Sequence, residues 1–396
     1  MKTLIAYIQK ARIAVLLMST CVLCACHVDS ANMASPPEDG EYAVVDAVDA
    51  SLETTRALSM NLDAFGISVY NVKKDKSLVD NVQYISNGSG FTGTPVWTMV
   101  VTEMKAIGVS PSLNILDNVT LDKDNAYFDY TVPTTKQTML KIGANLSFTK
   151  KSINNYLYLK FVNALSLVTF RARNELKMDI SGTEYDVTVY VKGITIHNLQ
   201  AKGRFTYTSN TAGTWALSGD TYYNYSQDFE NKVQLNTTTY VNVIDSVFTF
   251  LPQSPESNAW APTGTDAAPE TDAISYADAD HKCYIELRCS MTIQRDNQTV
   301  YIYGDENTFK PVYIPYVKKN CPKAWNAINR QSTYNIRLQK AEVLDSDGKP
   351  IKPEENENGG SFENAVFIEV APTDDSDNDN VDDWEDMNLD PYDVTI

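Results

Sequence analysis

From Phe65 to Val370 apolar and polar side chains alternate with period two, and this pattern constrains the fold more than any other feature. Phe65-Gly-Ile-Ser-Val-Tyr70, Val96-Trp-Thr-Met-Val-Val101 and Tyr127-Phe-Asp-Tyr-Thr-Val132 are each short, rich in Thr, Tyr, Val and Ile, and closed by turn residues such as Asn87-Gly88-Ser89-Gly90 and Gly93-Thr94-Pro95. Successive side chains on a strand face opposite ways, so this alternation gives one buried and one wet face. No long stretch sustains a helical period. Many short strands at short spacing predict an all-β chain built of sandwiches, not a parallel α/β sheet.

The second half repeats the pattern. Leu157–Phe161, Leu165–Phe170, Tyr185–Val191, Ile194–Ile196, Gly203–Tyr207 and Trp215–Gly219 read as strands, and Val247-Phe-Thr-Phe-Leu-Pro-Gln253 is an apolar strand closed by proline. Residues 254–280 hold Pro255, Pro262 and Pro269 among Ala, Ser and Asp and read as an exposed loop. Strands resume at Cys283–Ile293, Val300–Tyr303, Pro311–Tyr316 and Tyr334–Val343, and Ala365-Val-Phe-Ile-Glu-Val370 is the last.

The first 25 residues carry Lys2, Lys10 and Arg12, no acid, and the apolar run Ile13–Met18, which makes a secretory signal peptide too short for a spanning helix. Leu23-Cys24-Ala25-Cys26 resembles the lipobox of bacterial lipoproteins. The resemblance implies cleavage before Cys26 and acylation of that cysteine, with each buried methylene contributing ~0.8 kcal/mol to a membrane anchor. Residues 27–56 are a polar tether with at most one short strand near Ala43-Val44-Val45. It ends at Glu53-Thr54-Thr55-Arg56-Ala57, where Arg56 is the one Lys or Arg between the signal and Lys73. Arg56 is either a trypsin-like cleavage site or a solvated surface residue.

Removing the signal leaves 371 residues (396 − 25) with a charge of −21 (−18 − 3). Residues 353–396 hold fifteen Asp and Glu and no Lys or Arg, so the body from Cys26 to Lys352 carries only −6 (−21 + 15). This acidity argues against nucleic acid as a partner. Three cysteines remain beyond Cys26. Cys283 and Cys289 lie in one strand, where six residues span ~20 Å, beyond the ~7 Å limit between Cα atoms of a disulfide. Either one of them pairs with Cys321 or they are free buried thiols.

Leu157-Tyr-Leu-Lys-Phe-Val-Asn-Ala-Leu-Ser-Leu-Val-Thr-Phe170, Val191-Lys-Gly-Ile-Thr-Ile-His-Asn-Leu199, Gly203-Arg-Phe205 with Trp215, Phe250-Leu-Pro-Gln253, Val312-Tyr-Ile-Pro315 and Tyr334-Asn-Ile-Arg-Leu338 follow one another in the chain. In this order they resemble the Bacteroidales-type fimbrillin family, lipoprotein-derived pilus subunits. Asn163 departs from the family, which often has His there. The resemblance implies two tandem transthyretin-like β-sandwich domains, at 57–152 and 153–370 with the boundary near Ser152-Ile153, after a signal (1–25) and an arm (26–56) and before an acidic extension (371–396). It implies outer-membrane export as a lipoprotein, cleavage between Arg56 and Ala57, and polymerisation into a surface pilus with other subunits, supporting adhesion to a host or bacterial ligand. Arm removal would strip a strand from the first sandwich, and a neighbour's strand would fill the groove. The donor candidate is Val366, Ile368 and Val370 on one face, with Phe367 and Glu369 on the other; the alternative is the last strand of its own domain. The rival reading of the whole chain is a surface lipoprotein that binds glycan or protein and does not polymerise.

Asp375-Ser-Asp377-Asn-Asp379-Asn380-Val381-Asp382-Asp383-Trp384-Glu385-Asp386 resembles the calcium loops of EF-hands, dockerins and thrombospondin type 3 repeats. Counted from Asp375, the oxygen donors are Asp375, Asp377, Asp379, the Val381 carbonyl, Asp383 and Asp386. Asn380 stands where Gly is usual, and Asp386 where Glu is usual. The alternative is an acidic tail without a metal. No catalytic motif is present: His27, His197 and His281 lie far apart in sequence, and Asn87-Gly-Ser-Gly-Phe-Thr-Gly93 lacks the Lys-Ser/Thr of a phosphate loop. The chain does not read as an enzyme.

Overall fold

The computed structural model describes residues 44–49, 62–87, 90–93, 103–149, 156–180, 182–260, 278–316, 325–343 and 366–371. Its named elements are strands and two short 3-10 turns, Leu113–Ile115 and Pro255–Asn258. The all-β sandwich class expected from the period-two pattern is what the chain adopts. Among the described residues no helix is long and apolar enough to cross a membrane.

The first sheet has seven strands. In spatial order they are β1 (Val44–Asp49), β9 (Tyr156–Asn163), β8 (Lys141–Phe148), β5 (Met104–Ser110), β2 (Ala64–Asn71), β3 (Lys76–Ser86) and β4 (Phe91–Thr92). One face collects Phe65, Ile67, Val69, Tyr84, Met104, Ala106, Leu157, Leu159 and Phe161. These alternate positions carry the apolar residues, so burial on that face sets the register. The sheet curls over this core until β1 approaches β4 at the opposite edge. Gly108 and Gly143 face each other across β5 and β8. A Cβ on Gly108 would come within 2.8 Å of the Phe161 ring, and one on Gly143 within 2.8 Å of the Lys160 carbonyl oxygen, so both glycines let β9 close on the sheet.

Four strands form a second sheet, in the order β14 (Gly213–Leu217), β13 (Lys202–Tyr207), β7 (Ala126–Thr131) and β6 (Asp117–Leu121). It joins a hairpin from each half of the chain. Phe128 stacks on Phe205 at 5.2 Å, and Tyr207 and Trp215 meet both rings edge-on at 5.1 to 6.0 Å. Across the β7–β13 join, Arg204 donates to both carboxylate oxygens of Asp129, at 2.6 and 3.0 Å, and lies over the Tyr127 ring at 4.3 Å. Asn118 donates to the same carboxylate at 2.7 Å.

The hydrogen bonds from Arg204, then that from Asn118, hold the Asp129 carboxyl below its ordinary value against its partial burial. A carboxyl whose pKa is lowered in the fold adds stability above its unfolded value, about 3.9, and loses that contribution as the pH falls through the lower folded value. Unfolding midpoints measured from neutral pH into acid should therefore fall less steeply below about pH 4 for Asp129→Asn than for the parent. An unchanged acid limb would show that the pair adds nothing to the join.

The third sheet is the largest. Its main path runs β11 (Lys177–Ile180), β12 (Thr183–Gln200), β18 (Tyr284–Arg295), β20 (Lys310–Pro315), β22 (Val366–Ala371), β21 (Arg330–Val343), β10 (Ser166–Asn174) and β16 (Val241–Asn242). Off this path, β15 (Tyr222–Gln234) pairs with β12, β17 (Phe248–Phe250) with β10 and β19 (Gln298–Tyr303) with β18. Its inward residues share one core with the four-stranded sheet and with the outer face of β5 and β8. Trp325 is fully buried there, against Phe170, Phe250, Tyr316 and Tyr334 at 5.3 to 5.9 Å.

Ser152 and Ile153 lie outside the described residues. The next strand, β9, pairs with β1 and β8 in the first sheet, and the chain enters the third sheet at Ser166. β18 runs without a break from Tyr284 to Arg295, and Cys283 and Cys289 are free and buried. Burial pushes the Cys283 thiol up to about 12 and the Cys289 thiol higher still, so neither is a ready nucleophile. Cys321 lies outside the described residues.

Candidate assembly strands

The strand β1 belongs to the arm upstream of Arg56. Its sequence, Val-Val-Asp-Ala-Val-Asp, alternates as a half-buried strand must. It pairs in parallel with β9, Val45 opposite Leu157 and Ala47 opposite Leu159. On β9, Leu157, Leu159 and Phe161 are fully buried while Tyr158 is 53% exposed, so the inward row is the odd one. Val45 is buried in that row and Ala47 packs beside it. Thus β1 is an edge strand that caps an apolar core. A short strand near Val44-Val45 was legible in the sequence. Its partner, more than a hundred residues away, was not, because nothing local encodes which edge a strand joins.

The other candidate is β22, which holds Val366, Ile368 and Val370. It does not sit at an edge. Its backbone fills the slot between β20 and β21, parallel to the first at Val366 and Phe367 and antiparallel to the second from Val366 to Ala371. β1 and β22 are each six residues long, and each has a parallel partner. Cys26, Arg56 and Ala57 lie outside the described residues, as do Asp375, Asp377, Asp379, Val381, Asp383 and Asp386.

Among the described residues His197 and His281 sit in separate local contacts. His197 shares a hydrogen bond with Glu286 at 2.9 Å and stacks on Tyr284 at 4.2 Å, while His281 stacks on Tyr222 at 4.4 Å. A cleft of about 650 Å³ opens between the start of β2 and β17, lined by Asp63, Lys136, Gln137, Met139, Gln227 and Phe248 among others. Gln137 closes one wall by exchanging two 2.9 Å hydrogen bonds with the Thr249 backbone. Among the described residues no group of three or more His, Cys, Asp or Glu is placed to hold a metal ion.

No protein-family model and no curated protein sequence matches this chain. Solved structures do. A fimbrial protein from Bacteroides vulgatus aligns at 12% identity and a TM-score of 0.48, over 84% of this chain and 98% of that one. Two candidate cell adhesion proteins from Parabacteroides distasonis align at 11% identity over 84% of this chain, covering 97% and 99% of theirs, with TM-scores of 0.43 and 0.41. Over most of its length, then, the chain is similar to fimbrial and candidate cell adhesion proteins of Bacteroides and Parabacteroides, each matched almost end to end.

Proposed function

We propose that this chain is a pilus subunit: exported to the outer membrane as a lipoprotein through Cys26, freed of its arm by cleavage between Arg56 and Ala57, and polymerised by strand exchange at the cell surface, where the pilus supports adhesion. The placement of β1 carries this reading. The strand lies upstream of Arg56 and caps the first sheet as its edge. A cut after Arg56 turns it from a tethered strand into a separate peptide of a few dozen residues. On its departure the edge of β9 that faced β1 is left unpaired above an apolar row, the kind of edge that monomeric proteins blunt. The freed N–H and C=O groups beside the apolar row form a template for another strand. Val366-Phe-Ile-Glu-Val-Ala371 has the matching length and an alternating pattern. Backbone bonds would supply affinity and the alternating residues the register. A donor at one end and an acceptor at the other make a contact that does not close on itself, which builds a filament.

The test is the first residue of the protein sheared from cells, with its size on a non-denaturing gel. A start at Ala57 with a ladder of multimers supports the reading. A chain still beginning at lipidated Cys26 and found only as monomer would sink it and leave the surface lipoprotein that binds glycan or protein.

The acidic end is assigned a Ca²⁺ ion, held by Asp375, Asp377, Asp379, the Val381 carbonyl, Asp383 and Asp386. The support is the spacing of hard oxygens, which suits the six to eight donors Ca²⁺ takes. Calorimetric titration with CaCl₂ should show one saturable site, lost when Asp377 and Asp379 are both changed to Ala. A flat titration of the parent would end the assignment.

A further inference from the structure

The outer face of the third sheet carries a basic row in an otherwise acidic protein. Arg337 of β21 stands opposite Arg173 of β10, and one row along Asn335 stands opposite Arg171. Tyr240, just before β16, lies beside them. The guanidinium carbons of Arg173 and Arg171 are 5.0 and 5.7 Å from the centre of its ring, and Arg171 donates to the Tyr240 carbonyl at 3.4 Å. Glu175 pairs with Arg173 at 2.9 Å. Arg171 and Arg173 thus flank one aromatic ring, Arg337 stands opposite Arg173 in register, and Arg173 has only 13% of its side chain exposed.

The position of β22 gives this patch an occupant. Ala371, the last residue of β22, is the register partner of Arg337. β22 runs antiparallel to β21 and ends at the Arg337 row, two residues short of Asn335 and the Arg171 row. Ten of the fifteen acids of residues 353–396 lie beyond Ala371, beginning with Asp374, Asp375, Asp377 and Asp379. Strands are about 4.8 Å apart, so β10 is about 10 Å from the path of β22, and three extended residues reach about 10 Å. Asp374 and Asp375 are therefore within reach of all three arginines. No lysine or arginine follows Lys352 in the sequence to oppose them.

We propose that the acidic segment after Ala371, Asp374 to Asp379 foremost, docks across the Arg171–Arg173–Arg337 face of its own subunit. Carboxylate–guanidinium pairs are the strong, geometrically specific form of ion pair. The docked segment would also hold the end of β22 in its slot, so that the same arginines resist withdrawal of that strand. Proposed new here is the charged clasp, which does not require the strand to be a donor.

Arginine footprinting tests it. The full chain, in chelator so that no divalent ion competes for the carboxylates, is treated with butanedione in borate and the modified peptides are quantified by mass spectrometry. The comparison is a full-length variant with Asp374, Asp375, Asp377 and Asp379 changed to Asn. Modification at Arg171 and Arg337 should be several-fold faster in the variant. The parent should approach that rate near molar salt, where the screening length falls to about 3 Å. Arg204, paired with Asp129 on another sheet, is the internal reference and should not change, which also reports that the variant is folded. Equal rates at Arg171 and Arg337 in parent and variant would overturn the proposal. Protection that appears only as protein concentration rises would overturn it too, by assigning the occupant to a neighbouring subunit's acidic end.

Discussion

Arg56→Ala is expected to abolish maturation outright. The exported chain would keep its lipid-bearing start at Cys26, its intact mass would include the arm, and the multimer ladder would vanish. The effect is all-or-none because the step is a covalent cut. While the arm is continuous with the rest of the chain, β1 remains at high local concentration beside β9, and an incoming strand must compete with a tethered one. Once the cut is made, that advantage is lost, and β1 is held only by parallel backbone bonds to a single strand and the burial of residues such as Val45, worth ~1.5–3 kcal/mol for a full side chain. Arg56→Lys separates two protease classes: a trypsin-like enzyme should still cut it, whereas an arginine-specific one should not. A ladder that persists in the Arg56→Ala variant would show that β1 leaves without cleavage there, or that assembly does not use the β9 edge.

Ending the chain at residue 365 should be as damaging, in a different way. The truncated chain lacks β22, so it can accept a strand but has none to give. Mixed with the parent, it should shorten the ladder, since each incorporated copy ends growth. Alone it should give no multimers. The deletion also opens the β20–β21 slot within the third sheet, so its fold is checked by its thermal unfolding. A milder variant, Ile368→Lys, keeps the backbone pairing. It places a charge in the Val366-Ile368-Val370 row, which in a donor strand would meet the acceptor's apolar groove, where an unpaired buried charge is costly enough to exclude the strand. If the truncated chain forms a full ladder by itself, the donor lies elsewhere in the sequence and β22 is only the filler of its own slot.

The elements themselves were legible from local chemistry. Leu157-Tyr-Leu-Lys-Phe161 announces a half-buried strand because its odd residues must leave water together, and in the fold these are the buried ones. Cys283 and Cys289 could be denied a mutual disulfide for a similarly local reason, the reach of an extended chain. Long-range pairing was not legible. Nothing in Lys202–Tyr207 states that it will pair with Ala126–Thr131, since backbone donors and acceptors are the same on every strand. Only the fit of Phe128, Phe205 and Trp215 into one core selects that partner.

The same division holds for the candidate assembly site. By itself the sequence determined a short alternating stretch ahead of Arg56, a short alternating stretch near the end, and a block of acids after it, because each follows from side-chain type and spacing along the chain. Only the tertiary structure decided that the first stretch is an edge strand capping a core and that the second lies between two others. It alone set the last residue of β22 beside Arg337, with Arg173 one strand further on. The reason is physical: alternation fixes which face of a strand is apolar, while the neighbour at each edge is chosen by the packing of side chains brought together from distant parts of the chain.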